Sequence, residues 1–408
     1  MNVGFYIILA AQFLSALADN ALLFAAIAML ADLNAPSWHT PVLQEFFVVS
    51  YIVLAPFVGA FADAIPKGRV MFISNNIKLV GCFTMLAGLN PLFAYGIVGL
   101  GAAAYSPAKY GILTEYLPPE KLVAANAWME GATVFAIILG AIIGGLMLNP
   151  SLSATMSAHI PWLAQIDVPK FAIILITLLY VAAAVTNLFI PSTAPDHRPP
   201  RRDPIFLLRD FGHSFKQLWR DPLGQVSLAV TTLFWGAGAT LRLVILSWAL
   251  LVLKFDIQQA TQLTAVVAVG IAIGSVIAGS YIKLNDSIKV IPTGIIMGIV
   301  VMSMVFVTNT ILAAVLLMII GILGGFFVVP MNALLQHRGH LLMGAGHSIA
   351  VQNFNENLSI LIMLGLYALL DSAGWSINAI TLVFGAFISL SMLIILIHYR
   401  HIDPAHHA

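Results

Sequence analysis

The sequence predicts an all-α polytopic membrane protein with twelve transmembrane helices in two pseudo-symmetric six-helix bundles. Three observations lead to this class. The 408 residues are 60% hydrophobic and 9% charged, whereas a soluble domain is about 25% charged. Twelve apolar windows are long enough to cross a bilayer, and one polar segment divides them into two sets of six.

The twelve windows each reach about 20 residues, the length that a helix needs to span the hydrocarbon core. Backbone groups in lipid are satisfied within a helix, so the windows are expected to be helical. Asp19 lies inside the first window with no Lys or Arg before it, which indicates a transmembrane helix rather than a cleaved signal peptide. The windows are 4–31, 42–64, 69–91, 92–117, 121–148, 169–191, 223–253, 258–283, 287–308, 309–335, 343–371 and 374–398.

The distribution of basic residues predicts the orientation. With both termini in the cytoplasm, thirteen of the 18 Lys and Arg residues fall in cytoplasmic segments. The opposite side then holds Lys170 and Lys254, and three further residues lie within spans. Cytoplasmic loops are enriched in Lys and Arg, so this orientation is the expected one.

The polar break from Pro191 to Pro222 separates the two halves. We expect an N-terminal bundle over 1–191, a cytoplasmic linker over 192–222 and a C-terminal bundle over 223–408. Asp203 and Pro204 are suited to an N-cap and a first helical position, and apolar residues follow at helical spacing. The linker is therefore expected to contain an amphipathic helix on the cytoplasmic face. It could serve as a tether between the halves with no further role.

Six ionisable residues fall well inside predicted spans, where each costs about 2.5–3.5 kcal/mol. They must therefore face a cavity or pair with one another. Asp19 with Arg242, or Lys78 with Glu130, could form structural salt bridges, and the same charges could instead contact a substrate. The six are Asp19, Lys78, Lys109, Glu130, Arg242 and Glu356.

Other polar residues extend these positions along single helix faces. Tyr105 and Lys109 are one turn apart, and the run QNFNENLS places Gln352 and Glu356 on one face and Asn353 on another. The predicted substrate-binding residues are Asp19, Asn20, Tyr105, Lys109, Arg242, Gln352, Asn353 and Glu356. Lys78 and Glu130 are predicted as secondary intramembrane charges.

The loop GAFADAIPKGRV, from Gly59 to Val70, resembles the signature loop of the major facilitator superfamily. The resemblance rests on Gly59, Asp63, Lys67 and Arg69, although no basic residue directly follows Asp63 and a proline interrupts the turn. It implies the major facilitator fold, with these residues controlling a conformational cycle. A charged cytoplasmic loop could also reflect topology alone.

Several longer stretches resemble the bacterial lysophospholipid transporters, an LplT-type family within that superfamily. They include FLSALADNALLF, GAAAYSPAKYGIL, LFWGAGATLR and GAGHSIAVQNFNEN, and they are spread over both halves. The resemblance implies transport of lysophosphatidylethanolamine across the inner membrane of a Gram-negative bacterium. A separate cytoplasmic acyltransferase/acyl-carrier-protein synthetase would then reacylate the lipid.

A lysophospholipid headgroup suits the charges in the spans. Lys109 and Arg242 are candidates for the phosphate. Asp19 and Glu356 are candidates for the ammonium, and Asn20 and nearby amides for the glycerol hydroxyl. The acyl tail and the surrounding membrane lipids require only apolar surface.

Two other classes compete with this interpretation. A proton-coupled exporter of drugs or other amphiphiles would use Asp19 or Glu356 as the proton carrier, but Ala141 stands where such antiporters commonly have proline. A membrane enzyme that acts on the same lipid is a less favoured alternative. The sequence has no P-loop, which disfavours an ATP-driven pump. The net charge of +1 and the single cysteine also indicate no nucleic-acid partner, no thiolate metal site and no cofactor.

Overall fold

The computed structural model describes residues 1–36, 39–159, 166–193 and 203–402. These residues form fourteen α-helices with short 3₁₀ segments between some of them. The helices are α1 (Val3–Asp32), α2 (His39–Ala64), α3 (Lys67–Leu86), α4 (Pro91–Tyr116), α5 (Leu122–Met147), α6 (Pro150–His159), α7 (Val168–Asn187), α8 (Pro204–Arg220), α9 (Pro222–Leu251), α10 (Ile257–Tyr281), α11 (Ile291–Ser303), α12 (Thr310–Met343), α13 (Ala345–Ser372) and α14 (Ile377–Ile402).

Each of the twelve predicted windows contains a helix. Ten helical segments in the described part of the chain are long and apolar enough to cross a membrane. The helices α3 and α4 are not among the ten. The first carries three basic residues and two asparagines in 20 residues, and the second is rich in glycine, tyrosine and proline, which lowers its hydropathy.

The polar break forms a helix, α8, at the predicted position. Ser214 and Leu218 are buried on one side of it, and His213, Lys216 and Arg220 are exposed on the other. This is the amphipathic pattern that the spacing predicts. The preceding part of the predicted linker, residues 194–202, lies outside the described residues.

The chain divides into two compact units. Unit 1 comprises residues 1–115, 135–211 and 345–350. Its helices α1 and α3 both pack extensively on α7. Buried alanines on α1 and a close contact between Gly81 and Val98 bring the backbones near one another, so that polar groups on adjacent helices are within reach.

Unit 2 comprises residues 116–134, 212–344 and 351–408. Its most extensive contact joins α10 to α12, where the GxxxG pairs Gly270/Gly274 and Gly321/Gly325 face each other. A Cβ on Gly274 would lie 2.0 Å from the carbonyl oxygen of Ile322. Side chains larger than hydrogen would separate these two helices, as the small-residue spacing predicts.

Asp221 connects the end of α8 to α9 and α12 in unit 2. Its carboxylate caps α9 by accepting a bond from the amide of Gly224 at 2.8 Å, and Arg338 donates to it from Nε at 3.1 Å. Burial alone would raise the pKa of Asp221. The bonds from Arg338 and Gly224 outweigh that effect and hold the pKa below its usual range.

Candidate functional site

Asp19, on α1, is held by partners from two other helices of unit 1. Lys78 on α3 donates from Nζ to Oδ2 at 2.7 Å. Tyr180 on α7 donates from its hydroxyl to Oδ1 at 2.6 Å. Each carboxylate oxygen of Asp19 therefore accepts a hydrogen bond, one from an amine and one from a phenol. The sequence analysis allowed a pairing of Lys78 with Glu130, and in the structure Lys78 pairs with Asp19 instead.

Lys78 is enclosed more completely than its partner. Its Nζ also donates to Ser15 Oγ at 2.9 Å, and it lies 4.9 Å and 5.7 Å from the ring centres of Tyr105 and Tyr180. The side chain of Lys78 is 1% exposed and that of Asp19 21% exposed. The ammonium of Lys78 is thus buried among the helices of unit 1, whereas the carboxylate of Asp19 is partly accessible.

Unpaired polar atoms lie on α3 within one turn of Lys78. Ser15 donates to Asn75 Oδ1 at 2.8 Å, while Asn75 Nδ2 and Ser74 Oγ are buried without a hydrogen-bond partner among the described residues. Unsatisfied buried donors are costly. Two of them within one turn of Lys78 on α3 indicate a place where a polar ligand or ordered water is accommodated.

Of the other predicted binding residues of unit 1, Asn20 and Lys109 have contacts of their own, and Tyr105 lies beside Lys78. Asn20 donates to the carbonyl of Ala16 at 2.8 Å. Lys109 lies 4.6 Å from the ring centre of Tyr110, and Tyr105 is buried against Lys78. The structure therefore brings Asp19 and Tyr105 together around Lys78.

In unit 2, Gln352 connects two polar residues. Its amide nitrogen donates to Asn332 Oδ1 at 2.9 Å and to Glu356 Oε1 at 2.7 Å. Glu130 is close enough for its charge to act on Glu356, and both carboxylates are buried. The grouping of Gln352 with Glu356 follows the predicted helix face, and Asn332 is an additional member.

Asn353 and Arg242 complete the predicted set in unit 2. Asn353 is buried, and its carbonyl accepts a bond from Asn357 at 2.8 Å. Arg242, on α9, is exposed, and no hydrogen bond or ion pair joins its guanidinium to another described residue. An unpaired guanidinium on a spanning helix is available to an anionic ligand.

A second polar cluster surrounds Asp63 at the end of α2 in unit 1. Its Oδ1 accepts a bond from the amide of Gly346 at 2.6 Å, and its Oδ2 from the amide of His347 at 3.0 Å. A carboxylate at the first turn of α13 satisfies amides that have no partner within the helix and complements the helix dipole. Asp63 therefore caps α13 from a different helix.

Side chains complete the Asp63 cluster. Lys67 Nζ lies 2.8 Å from both Asp63 Oδ1 and Glu115 Oε1. The imidazole of His347 is within 2.6 Å of Asp63 through Nδ1 and within 3.0 Å of Asp210, on α8, through Nε2. Because a carboxylate only accepts, both ring nitrogens donate, and an imidazolium fits the two contacts.

Gly59 permits this arrangement. A Cβ at Gly59 would lie 3.0 Å from Ala350 Cβ and from His347 Cα, so a larger residue would push α13 away. Arg69, by contrast, is exposed, and its guanidinium makes no hydrogen bond or ion pair with the described residues. Three of the four predicted gating residues therefore meet, and Arg69 lies outside the cluster.

Some members of these clusters were not predicted. Tyr180, Glu115 and Asp210 lie on helices whose packing partners the sequence does not reveal. His347 stands within a quoted stretch, GAGHSIAVQNFNEN, but is not among the predicted site residues. A buried amide pair between Asn126 and Gln336 was also missed, since neither residue carries a charge.

The chain matches a family of membrane transporters over most of its length. The family model of the Major Facilitator Superfamily matches residues 8–362. The lysophospholipid transporter LplT of Yersinia pestis (strain Pestoides F) is 44% identical over 374 residues, which cover 91% of this chain and 88% of the relative. LplT of Yersinia pseudotuberculosis serotype I (strain IP32953) matches with the same values.

Solved structures share the fold at low sequence identity. The human organic anion transporter MFSD10 aligns with a TM-score of 0.74 and 13% identity, over 97% of this chain and all of the other. The fucose:proton symporter FucP in its outward conformation aligns with a TM-score of 0.74 and 14% identity, over 98% of each chain. At this identity, the likeness concerns the fold alone.

Proposed function

Because this chain belongs to the major facilitator superfamily, and within it to the family of the LplT lysophospholipid transporters, we propose that it carries lysophospholipids across a bacterial inner membrane. The substrate is lysophosphatidylethanolamine and related lysophospholipids, moved to the cytoplasmic leaflet. The chain performs transport and no catalysis. It hands the lipid to a separate cytoplasmic acyltransferase/acyl-carrier-protein synthetase, as the family resemblance implies.

The observation that carries this proposal is the Asp19–Lys78 ion pair in unit 1. A lysophosphatidylethanolamine headgroup has an ammonium and a phosphate, so it needs a carboxylate and cations within a largely apolar environment. Asp19 offers a partly accessible carboxylate. Asn75, which Ser15 links to Lys78, offers an unpaired amide donor. Binding at Asp19 fixes the ammonium end of the headgroup.

The remaining predicted residues bind the other polar groups of the headgroup. Lys109 and Arg242 bind the phosphate. Glu356, held by Gln352 at 2.7 Å, provides a second carboxylate for the ammonium at another stage of the cycle. Asn20 and Asn353 bind the glycerol hydroxyl, and the acyl chain stays in contact with lipid or apolar helix surface.

Transport proceeds by alternating access. We infer twelve spans in two six-helix bundles, over 1–191 and 223–408, with the linker 192–222 and both termini in the cytoplasm. The hydrogen bonds from the amides of Gly346 and His347 to Asp63 form in one conformation and break in the other. Asp63, Lys67 and Gly59 thereby control which conformation is populated.

Ligand-dependent thermal unfolding tests this function. Purified protein is heated with lysophosphatidylethanolamine or with a monoacylglycerol of the same acyl chain, which lacks phosphate and ammonium. At about 100 times its Kd, a ligand adds about 2.7 kcal/mol to stability, so we expect lysophosphatidylethanolamine to raise Tm and monoacylglycerol to leave it unchanged. Equal stabilisation by both lipids would instead indicate a carrier of general amphiphiles.

A further inference from the structure

The linker helix α8 contacts the cap of α13 through a charged side chain. Asp210 Oδ2 lies 3.0 Å from Nε2 of His347, and Nδ1 of the same ring lies 2.6 Å from Asp63 Oδ2. The amide of His347 donates to that Asp63 oxygen as well, at 3.0 Å. One imidazole therefore joins a carboxylate on α8 to a carboxylate on α2, and the three residues all belong to unit 1.

Charge and burial make this chain of contacts strong. The side chain of His347 is 9% exposed, that of Asp63 4% and that of Asp210 27%. Lys67 lies between Asp63 and Glu115, so an imidazolium at His347 brings two positive charges to three carboxylates. Hydrogen bonds between ionised groups are stronger than neutral ones, and more so away from water. Asp210 thus supplies one of the bonds that fix the ring of His347 in this orientation.

Other contacts hold α8 in place beside α13. In unit 2, the rings of Phe215 and Phe354 meet edge to face with their centres 6.2 Å apart, and Trp219 Nε1 donates to Asn355 Oδ1 at 3.3 Å. These contacts come about two turns along α13 from His347, at about 3.6 residues per turn. The helix α8 is therefore more than a connecting tether, because its side chains bind α13 at separate points.

The cap of α13 depends on contacts from outside that helix. The amides of Gly346 and His347 lie in its first turn, where a helix has no acceptor of its own for them. We propose that Asp210 is a positioning residue, which fixes His347 against Asp63, so that α8 clamps the capped conformation. The clamp sets how readily the cycle leaves this conformation. Its effect on transport rests on the proposed function, whereas the clamp itself does not.

Hydrogen exchange of the peptide that contains Gly346 and His347, in purified protein without added lipid, tests the clamp. Because these amides have no acceptor within α13, their exchange reports on the cap. We expect Asp210→Ala to raise their exchange rate about tenfold, the effect of losing one charge-assisted hydrogen bond. Asp210→Glu should restore much of the protection. In a His347→Ala background, Asp210→Ala should add less than about twofold, because its effect passes through the imidazole.

Lys216→Ala, at an exposed position of the same helix, is the matched control and should leave the exchange rate unchanged. Unchanged exchange in a folded Asp210→Ala protein overturns the proposal. So does a further increase of about tenfold in the His347→Ala background, which would show that the two residues act independently. If Asp210→Ala does not fold, Asp210→Asn keeps the shape without the charge and is expected to change exchange in the same direction.

Flipping of labelled lysophosphatidylethanolamine in proteoliposomes tests the effect of the clamp on transport. We expect Asp210→Ala to lower the rate about three- to tenfold and to leave the lipid-induced rise in Tm unchanged, because Asp210 acts on the gate. A rate equal to that of the wild type would overturn the link between the clamp and transport. Absence of any flipping by the wild type would instead count against the proposed function, and the exchange experiment would still decide whether the clamp exists.

Discussion

Replacing Asp19 with asparagine is expected to abolish lysophospholipid transport. The change leaves the ammonium of Lys78, 1% exposed, without a carboxylate, and it removes the group that binds the substrate ammonium. Leaving one partner of a buried ion pair uncompensated costs about 3–5 kcal/mol. We therefore expect the flipping rate to fall at least about a hundredfold, measured with labelled lysophosphatidylethanolamine in proteoliposomes.

Asp32→Asn is the control for this variant. Asp32 is the last residue of the same helix and is exposed, so its loss should leave the rate unchanged. Gel filtration and thermal unfolding show whether each protein is folded. A folded Asp19→Asn protein with the wild-type rate would mean that the Asp19–Lys78 pair is structural.

Replacing Asp63 with asparagine should slow transport while sparing substrate binding. The carboxylate accepts two amide bonds from α13 and contacts both Lys67 and His347. Charge-assisted hydrogen bonds contribute about 1.5–3 kcal/mol each, and a helix cap about 1 kcal/mol. We expect the flipping rate to fall more than about tenfold, because one conformation of the cycle loses these contacts.

Two measurements separate this effect from a loss of affinity. The ligand-induced rise in Tm reports binding, and the flipping rate reports the complete cycle. Asp371→Asn, at the exposed far end of α13, should match the wild type in both. If Asp63→Asn weakened binding in proportion to the rate, a role in gating would be contradicted.

Much of the fold follows from patterns that the sequence displays directly. Hydropathy locates the helices, because a span needs about 20 apolar residues whatever it packs against. The α8 helix was predicted from Asp203 and Pro204 and from the spacing of its apolar residues. The helices α3 and α4 depart from a simple hydropathy rule, since several of their polar and small residues are buried within the protein.

The residues of the polar site were predicted better than the contacts between them. An ionisable residue within a span is conspicuous in any sequence, so Asp19, Lys78 and Glu356 were identified from position alone. Their partners depend on which helices pack together. The contact of α1 and α3 with α7 brings Lys78 and Tyr180 to Asp19, and no spacing along the chain encodes that packing.

The Asp63 cluster illustrates the same limit. The signature loop indicates that Asp63, Lys67 and Gly59 matter, but it does not say what they contact. Their partners, Gly346 and His347, come about 280 residues later in the chain. His347 is not among the predicted site residues, because its position in the sequence does not reveal that Asp63, on another helix, accepts a bond from its amide.

The most direct test of the proposed function is movement of lysophosphatidylethanolamine between leaflets by the purified protein alone. The lipid carries a fluorescent label, and a membrane-impermeant reductant destroys label in the outer leaflet of vesicles. We predict that label becomes protected or exposed at a rate that rises with the amount of wild-type protein and saturates with lipid. A rate equal to that of protein-free vesicles would contradict lysophospholipid transport by this chain.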